Sequence, residues 1–79
     1  MNINKLSKDL LYCLNLEASK QNINYALNYQ YRFYETTQML RCAISLLKFE
    51  KKKIKERIYL KNQYELIDYL SNELKQYEK

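Results

Sequence analysis

MLRCAISLLKFEKKKIKERIYLK, residues 39–61, is the stretch whose local conformation decides the fold. Eight of its first eleven residues are apolar (Met39, Leu40, Cys42, Ala43, Ile44, Leu46, Leu47 and Phe49), and the run then turns basic with no Gly or Pro to mark a break. At 100° per residue, Tyr29, Phe33, Thr36, Leu40, Ala43, Leu47, Ile54 and Ile58 fall on one angular stripe, with Phe33, Leu40, Leu47 and Ile54 recurring every seven residues. A seven-residue repeat keeps one seam of a helix against a partner over several turns. The expectation is one long helix through this stretch, its pattern interrupted at Glu50 and Lys51.

Outward from this stretch, the whole 79-residue chain contains neither Gly nor Pro. It therefore lacks the usual residues for turns with positive φ and the usual helix breakers, which points to an all-α fold with connections made by Asn, Ser and Lys. Three helices are expected in a single domain, at about 4–19, 23–60 and 62–77, the two shorter ones packed antiparallel on the long central one. In the first, Ile3, Leu6, Leu10, Leu11, Cys13, Leu14 and Ala18 share a broad face. The third opens on Asn62-Gln63-Tyr64-Glu65, a capping box with Asn as the cap, and Leu60, Tyr64, Ile67, Leu70, Leu74 and Tyr77 form its stripe. The alternative is a compact three-helix bundle in which helix 2 ends near residue 49.

Most chemistries are excluded by composition. There is no His, Asp occurs only at positions 9 and 68, and no Ser or Cys has a base to activate it, so no enzymatic activity, catalytic residue or cofactor is expected. Cys13 and Cys42, without His, do not close a structural zinc site, so no metal is expected either. Both thiols are read as free and core-facing. The start of the chain lacks the basic-then-apolar pattern of a secretory signal, and no run approaches the roughly 18 apolar residues of a membrane span, so a cytoplasmic location is expected. Heavy use of Lys, Asn, Tyr and Ile suggests an AT-rich coding sequence of the kind found in phages and plasmids.

Charge is concentrated. Between Lys48 and Lys61, seven positive residues stand against Glu50 and Glu56, which accounts for the entire net charge of +5. On a helix, Lys48, Lys52 and Lys55 line up beside Tyr59, with Arg57 nearby, a face suited to nucleic-acid phosphates or simply to water. Interspersed Glu and the absence of Trp argue against a membrane surface. Aromatic residues cluster at Tyr25, Tyr29, Tyr31, Phe33 and Tyr34. Tyr29, Phe33, Leu40, Leu47 and Ile54 form the expected self-association seam, and Leu27, Tyr31 and Tyr34 an aromatic patch for a partner. The functional expectation is a small interaction module acting by stoichiometric binding to another protein, as an inhibitor, adaptor or chaperone-like binder, and forming a homodimer or higher oligomer. The alternative is a basic nucleic-acid-binding regulator using the Lys48–Lys61 segment.

Overall fold

The stretch from Ile23 to Leu60 is not helical. The computed structural model describes residues 2–36 and 38–78, with the side chains of residues 32–34 and 39–42 outside that description. In chain order it contains helix α1 (Ile3–Ala18), a 3-10 turn (Ser19–Gln21), strands β1 (Ile23–Tyr34), β2 (Met39–Glu50) and β3 (Lys53–Leu60), and helix α2 (Gln63–Tyr77). The strands form one antiparallel sheet in the order β1-β2-β3. The expected all-α class, its long central helix, the compact-bundle alternative and the coiled-coil seam are thereby overturned. The molecule is an α+β plate only 15 Å thick, one helical layer on one sheet.

The physical reason lies in the side-chain period. Ile23, Tyr25, Leu27, Tyr29, Tyr31 and Phe33 alternate with Asn24, Ala26, Asn28, Gln30 and Arg32, the two-residue repeat of a strand with one buried face, in residue types that favour strands. The pairing register sets Tyr25 opposite Lys48, Leu27 opposite Leu46 and Tyr29 opposite Ile44. On the other side of β2, Ile44 meets Leu60 and Leu46 meets Ile58. Ile23, Tyr25, Leu27, Tyr29, Ile44, Leu46, Ile58 and Leu60 thus share the face on which the helices pack. The seven-residue spacing of Phe33, Leu40, Leu47 and Ile54 spans three strands and has no helical meaning.

Turns form without Gly because other residues accept left-handed backbone. Asn22 (φ 61°) ends the 3-10 turn, Gln38 (φ 53°) lies between β1 and β2, and Lys51 and Lys52 (φ 53° and 68°) form the two-residue link between β2 and β3. The Lys51 N–H donates to the Asn22 carbonyl at 3.1 Å, tying this link to the entry of β1.

Both helices are capped by Asn. The Asn2 side chain accepts from the N–H groups of Asn4 (3.0 Å) and Lys5 (3.2 Å). Asn62 accepts from Glu65 N–H at 2.9 Å, and the Glu65 carboxylate in turn accepts from Lys61 N–H at 2.8 Å. Leu14 and Ala18 of α1, Leu66 and Leu70 of α2, and Tyr25, Ile44 and Leu46 of the sheet make the buried core. Cys13, expected to face this core, is exposed.

Tyr25 fixes the direction of both helices. Its main-chain N–H and C=O are held by the Asn15 carboxamide at 2.7 and 2.9 Å. Its hydroxyl donates to Glu73 at 3.0 Å and lies 3.2 Å from the Tyr77 hydroxyl. The C-terminal halves of α1 and α2 therefore meet at Tyr25. Four residues along β1, the Tyr29 hydroxyl accepts from Gln63, the first residue of α2, at 3.1 Å, and shares a cleft with Asn4 and Lys8 from the start of α1. The helices are accordingly parallel to each other and antiparallel to β1, and they pack on the sheet where a central helix had been expected.

Burial, then the Tyr77 hydroxyl and the Glu73 carboxylate, push the Tyr25 phenol far above its ordinary value, and burial followed by Glu73 pushes Tyr69 up to about 12. The folded chain holds these two protons more tightly than the unfolded chain does. Stability is therefore at its full value below about pH 10, where unfolded tyrosine ionises, and falls as pH rises above it. Urea-unfolding midpoints measured from pH 8 to 12 are expected to be level and then decline, with Tyr25→Phe flattening the decline. An unchanged alkaline slope in that variant would remove Tyr25 as its source.

Candidate nucleic-acid interface

The helices cover one face of the sheet and leave the other open. An exposed antiparallel face ordinarily alternates to polar residues. On β1 this holds, since Asn24, Asn28 and Gln30, with only the small Ala26 between them, point away from the helices. On β2 and β3 it fails. A bulge between Lys48 and Phe49 resets the β2–β3 pairing so that Phe49 faces Ile54, with Leu47 opposite Arg57 and Ser45 opposite Tyr59. Across the three strands the open face reads Asn24-Phe49-Ile54, then Ala26-Leu47-Arg57, then Asn28-Ser45-Tyr59.

Apolar area is left uncovered here. Tyr59 is 72% exposed and Ile54 54%, while Phe49 and Leu47 are half-buried without packing on the core. Ser45 is buried, with its hydroxyl 3.5 Å from the Asn28 carbonyl. The result is a flat platform of two aromatic rings, two aliphatic side chains and an arginine, flanked by the amides of Asn24, Asn28 and Gln30. Apolar patches of this kind on a small protein mark binding surfaces.

A cationic hairpin end adjoins the platform. Lys51, Lys52 and Lys53 are exposed and take part in neither of the ion pairs among the described residues, which are Lys20–Glu17 and Lys55–Glu50. At 2.6 Å the Lys55 ammonium lowers the Glu50 carboxyl and is itself raised, through the shared hydrogen bond first and charge second. Both groups are solvent-exposed, so the pair orders the hairpin without adding much stability.

The link itself is strained. With Glu50 opposite Lys53 and positive φ at both intervening residues, it meets the backbone requirement of a type I′ turn, for which Asn-Gly is strongly preferred. A side chain with a Cβ in this region is disfavoured by about 1 kcal/mol or more. The chain is rich in Asn and uses Asn22 at another left-handed position, yet here it keeps two adjacent lysines.

The residues singled out from the sequence are redistributed by strand pairing. Of the basic set, Lys48 lies on the helix side, 5.8 Å above the Tyr25 ring, Lys52 is in the strained link, and Lys55 sits at the bulge paired to Glu50. Arg57 and Tyr59 stand together on the open face. Of the seam, Tyr29 faces the helices, Leu47 and Ile54 lie on the open face, and Phe33 and Leu40 are paired across β1 and β2 with side chains outside the described residues. Leu27 packs against the core, Tyr31 is 66% exposed at the cleft, and the Tyr34 side chain lies outside the described residues. Phe49, Asn24, Asn28 and Gln30 are absent from the residues the sequence singles out; the alternation in β1 is the signal that places the three amides on one face.

The cleft beside Tyr29, of about 220 Å³, lies between the N-terminal ends of the helices and is lined by Asn4, Lys8, Tyr29, Tyr31 and Gln63. The Gln63 amide donates to Tyr29, and its buried oxygen has no hydrogen-bond partner. Among the described residues, no group of three or more His, Cys, Asp or Glu gathers in a way that would hold a metal ion, and no helix is long and apolar enough to cross a membrane. Comparison with protein-family models, curated proteins and solved structures finds no significant match.

Replacing the link by the sequence its geometry prefers, Lys51→Asn with Lys52→Gly, is expected to raise stability by about 1 kcal/mol. The readout is a higher urea midpoint at unchanged denaturant dependence. No gain would mean that the lysine link is relaxed.

Proposed function

We propose that this chain is a non-enzymatic, cytoplasmic single-stranded nucleic-acid-binding protein that holds its ligand across the open face of the sheet. The observation that carries the reading is the adjacency of an uncovered aromatic platform, Phe49 and Tyr59 with Arg57 between them, to the strained lysine link. Bases have flat apolar faces that stack on exposed rings and on guanidinium planes, while lysines attract the phosphates. A positive net charge confined to this segment adds long-range attraction for a polyanion. Asn24, Asn28 and Gln30 carry amide groups that pair with base edges, so modest base preference would arise along β1. The lysines contribute salt-dependent, sequence-independent affinity.

A second reading keeps the same face and changes the ligand. Leu47, Phe49 and Ile54 form an apolar strip that would also receive the apolar side of a partner protein's helix, making the chain a stoichiometric inhibitor or adaptor. The charge at the edge of the strip favours the nucleic acid.

Polarisation of a labelled single-stranded oligonucleotide, titrated with protein across a salt series, separates the two. Affinity is expected to fall steeply with salt. Tyr59→Ala is expected to weaken binding by about 1–3 kcal/mol through lost stacking. Lys51→Asn with Lys52→Gly is expected to reduce the slope of log affinity against log salt by about 1.4, the share of two phosphate contacts. Because that variant is expected to be the more stable protein, its lost affinity is not attributable to unfolding. Absence of binding at about 50 mM salt would remove the nucleic-acid reading and leave the protein-partner one.

A further inference from the structure

Given the nucleic-acid reading of the open face, on which this rests, we infer that the ligand lies extended along β3 with its bases unstacked from one another, one base to each flat side chain. The site therefore selects pyrimidine-rich single strands over runs of adenine.

The pairing register sets one flat group in every row of the open face. Phe49 stands in the row Asn24-Phe49-Ile54, Arg57 in the row Ala26-Leu47-Arg57 and Tyr59 in the row Asn28-Ser45-Tyr59. The bulge keeps these rows in step, because Ile54 and Arg57 are three residues apart on β3 while their partners Phe49 and Leu47 are two apart on β2. A nucleic-acid strand laid across the sheet, within one row, meets a single flat group. Laid along β3, from row to row, it meets all three. The Arg57 guanidinium is exposed on this face and takes part in neither of the ion pairs among the described residues, so its plane is open to a base.

Charge fixes the same course. The row of Phe49 is the one beside the link between β2 and β3, so a strand running along the rows passes from Tyr59 over Arg57 and Phe49 to the exposed Lys51, Lys52 and Lys53. None of the three rows contains Asp or Glu, and Glu50, beside the link, is paired with Lys55. A polyanion following this course meets one cation midway and three more at its end.

Spacing then selects the base. Neighbouring rows are two residues apart along a strand, or about 6.7 Å. Bases stacked in a helical strand rise by only about 3.4 Å each. Bases seated on neighbouring rows are thus too far apart to stack on one another, and a ligand gives up its own stacking to bind. Runs of adenine have the most stacking to lose and runs of thymine or uracil the least, while each base gains a comparable contact with a ring or a guanidinium. Three bases on the rows, with two phosphates carried on to Lys51 and Lys52, make a footprint of about five nucleotides.

The full chain is titrated by polarisation against labelled oligothymidylates of about two to ten nucleotides and against oligodeoxyadenylate of the greatest length, all at one low salt concentration. Affinity for thymidylate is expected to climb to about five nucleotides and then level, and the longest thymidylate is expected to bind at least about fivefold tighter than adenylate of the same length. Saturating protein is expected to abolish the near-ultraviolet circular dichroism of stacked adenylate. Tyr59→Ala removes the platform farthest from the lysines and is expected to move the levelling point down by about one nucleotide, a change that loss of stability alone does not produce. Far-ultraviolet dichroism checks that the variant is folded. Adenylate that binds as tightly as thymidylate, bound adenylate that keeps its stacked dichroism, or an unchanged levelling point in Tyr59→Ala would each overturn the extended arrangement and leave the nucleic-acid reading standing. No binding of any oligonucleotide would overturn both.

Discussion

The Asn15 carboxamide on the main chain of Tyr25 is the contact on which the arrangement of layers depends. One side chain of α1 supplies both a donor and an acceptor to a strand edge that would otherwise look for another strand. Such buried or half-buried main-chain groups require partners, and Asn offers both in the spacing a peptide would. The ring of the same Tyr25 enters the core and its hydroxyl reaches Glu73 and Tyr77 of α2. A single residue of β1 therefore registers both helices against the sheet. Loss of the clamp would free α1 to slide along β1 and disengage Leu14 and Ala18 from Leu66 and Leu70.

Legibility in the sequence was uneven, and the reason is specific. The helices at either end announce themselves through amphipathic spacing and Asn caps, and the structure has helices there. The centre departs from the expected helix because the absence of Gly and Pro does not prevent tight turns with positive φ. Asn22, Gln38, Lys51 and Lys52 show that other residues adopt left-handed backbone when strand pairing compensates for it. The seven-residue recurrence of Phe33, Leu40, Leu47 and Ile54 looked helical, but it competed with an uninterrupted alternation from Ile23 to Phe33 that is the stronger signal for that segment. Once the period is two, the basic cluster stops being a helical stripe. Arg57 and Tyr59 remain neighbours on one face, whereas Lys48 passes to the other side of the sheet and Lys55 to a bulge.

The two faces of the sheet divide the labour between folding and binding. The helix side takes Tyr25, Leu27, Ile44, Leu46, Ile58 and Leu60, which spends most of the aliphatic content of the strands on the core. What remains on the open side is aromatic, amide and cationic, with Leu47 and Ile54 as its aliphatic part. The bulge at Lys48 and Phe49 matters because it keeps Ile54 on the open side with Phe49 while Ile58 and Leu60 stay inside. Bulges redirect side chains at sheet edges in this manner.

The core also constrains how the protein comes into being. Leu14 and Ala18 precede the sheet and Leu66 and Leu70 follow it, so the buried cluster unites segments made first and last among the elements described. During synthesis the meander of β1, β2 and β3 has only local pairings to draw on, and its helix-facing side stays half covered until α2 has left the ribosome. Folding is thus deferred to the end of this segment's translation, with an apolar sheet face and a long strand edge open in the meantime. Chains in that position are the ones most exposed to chaperones and to each other.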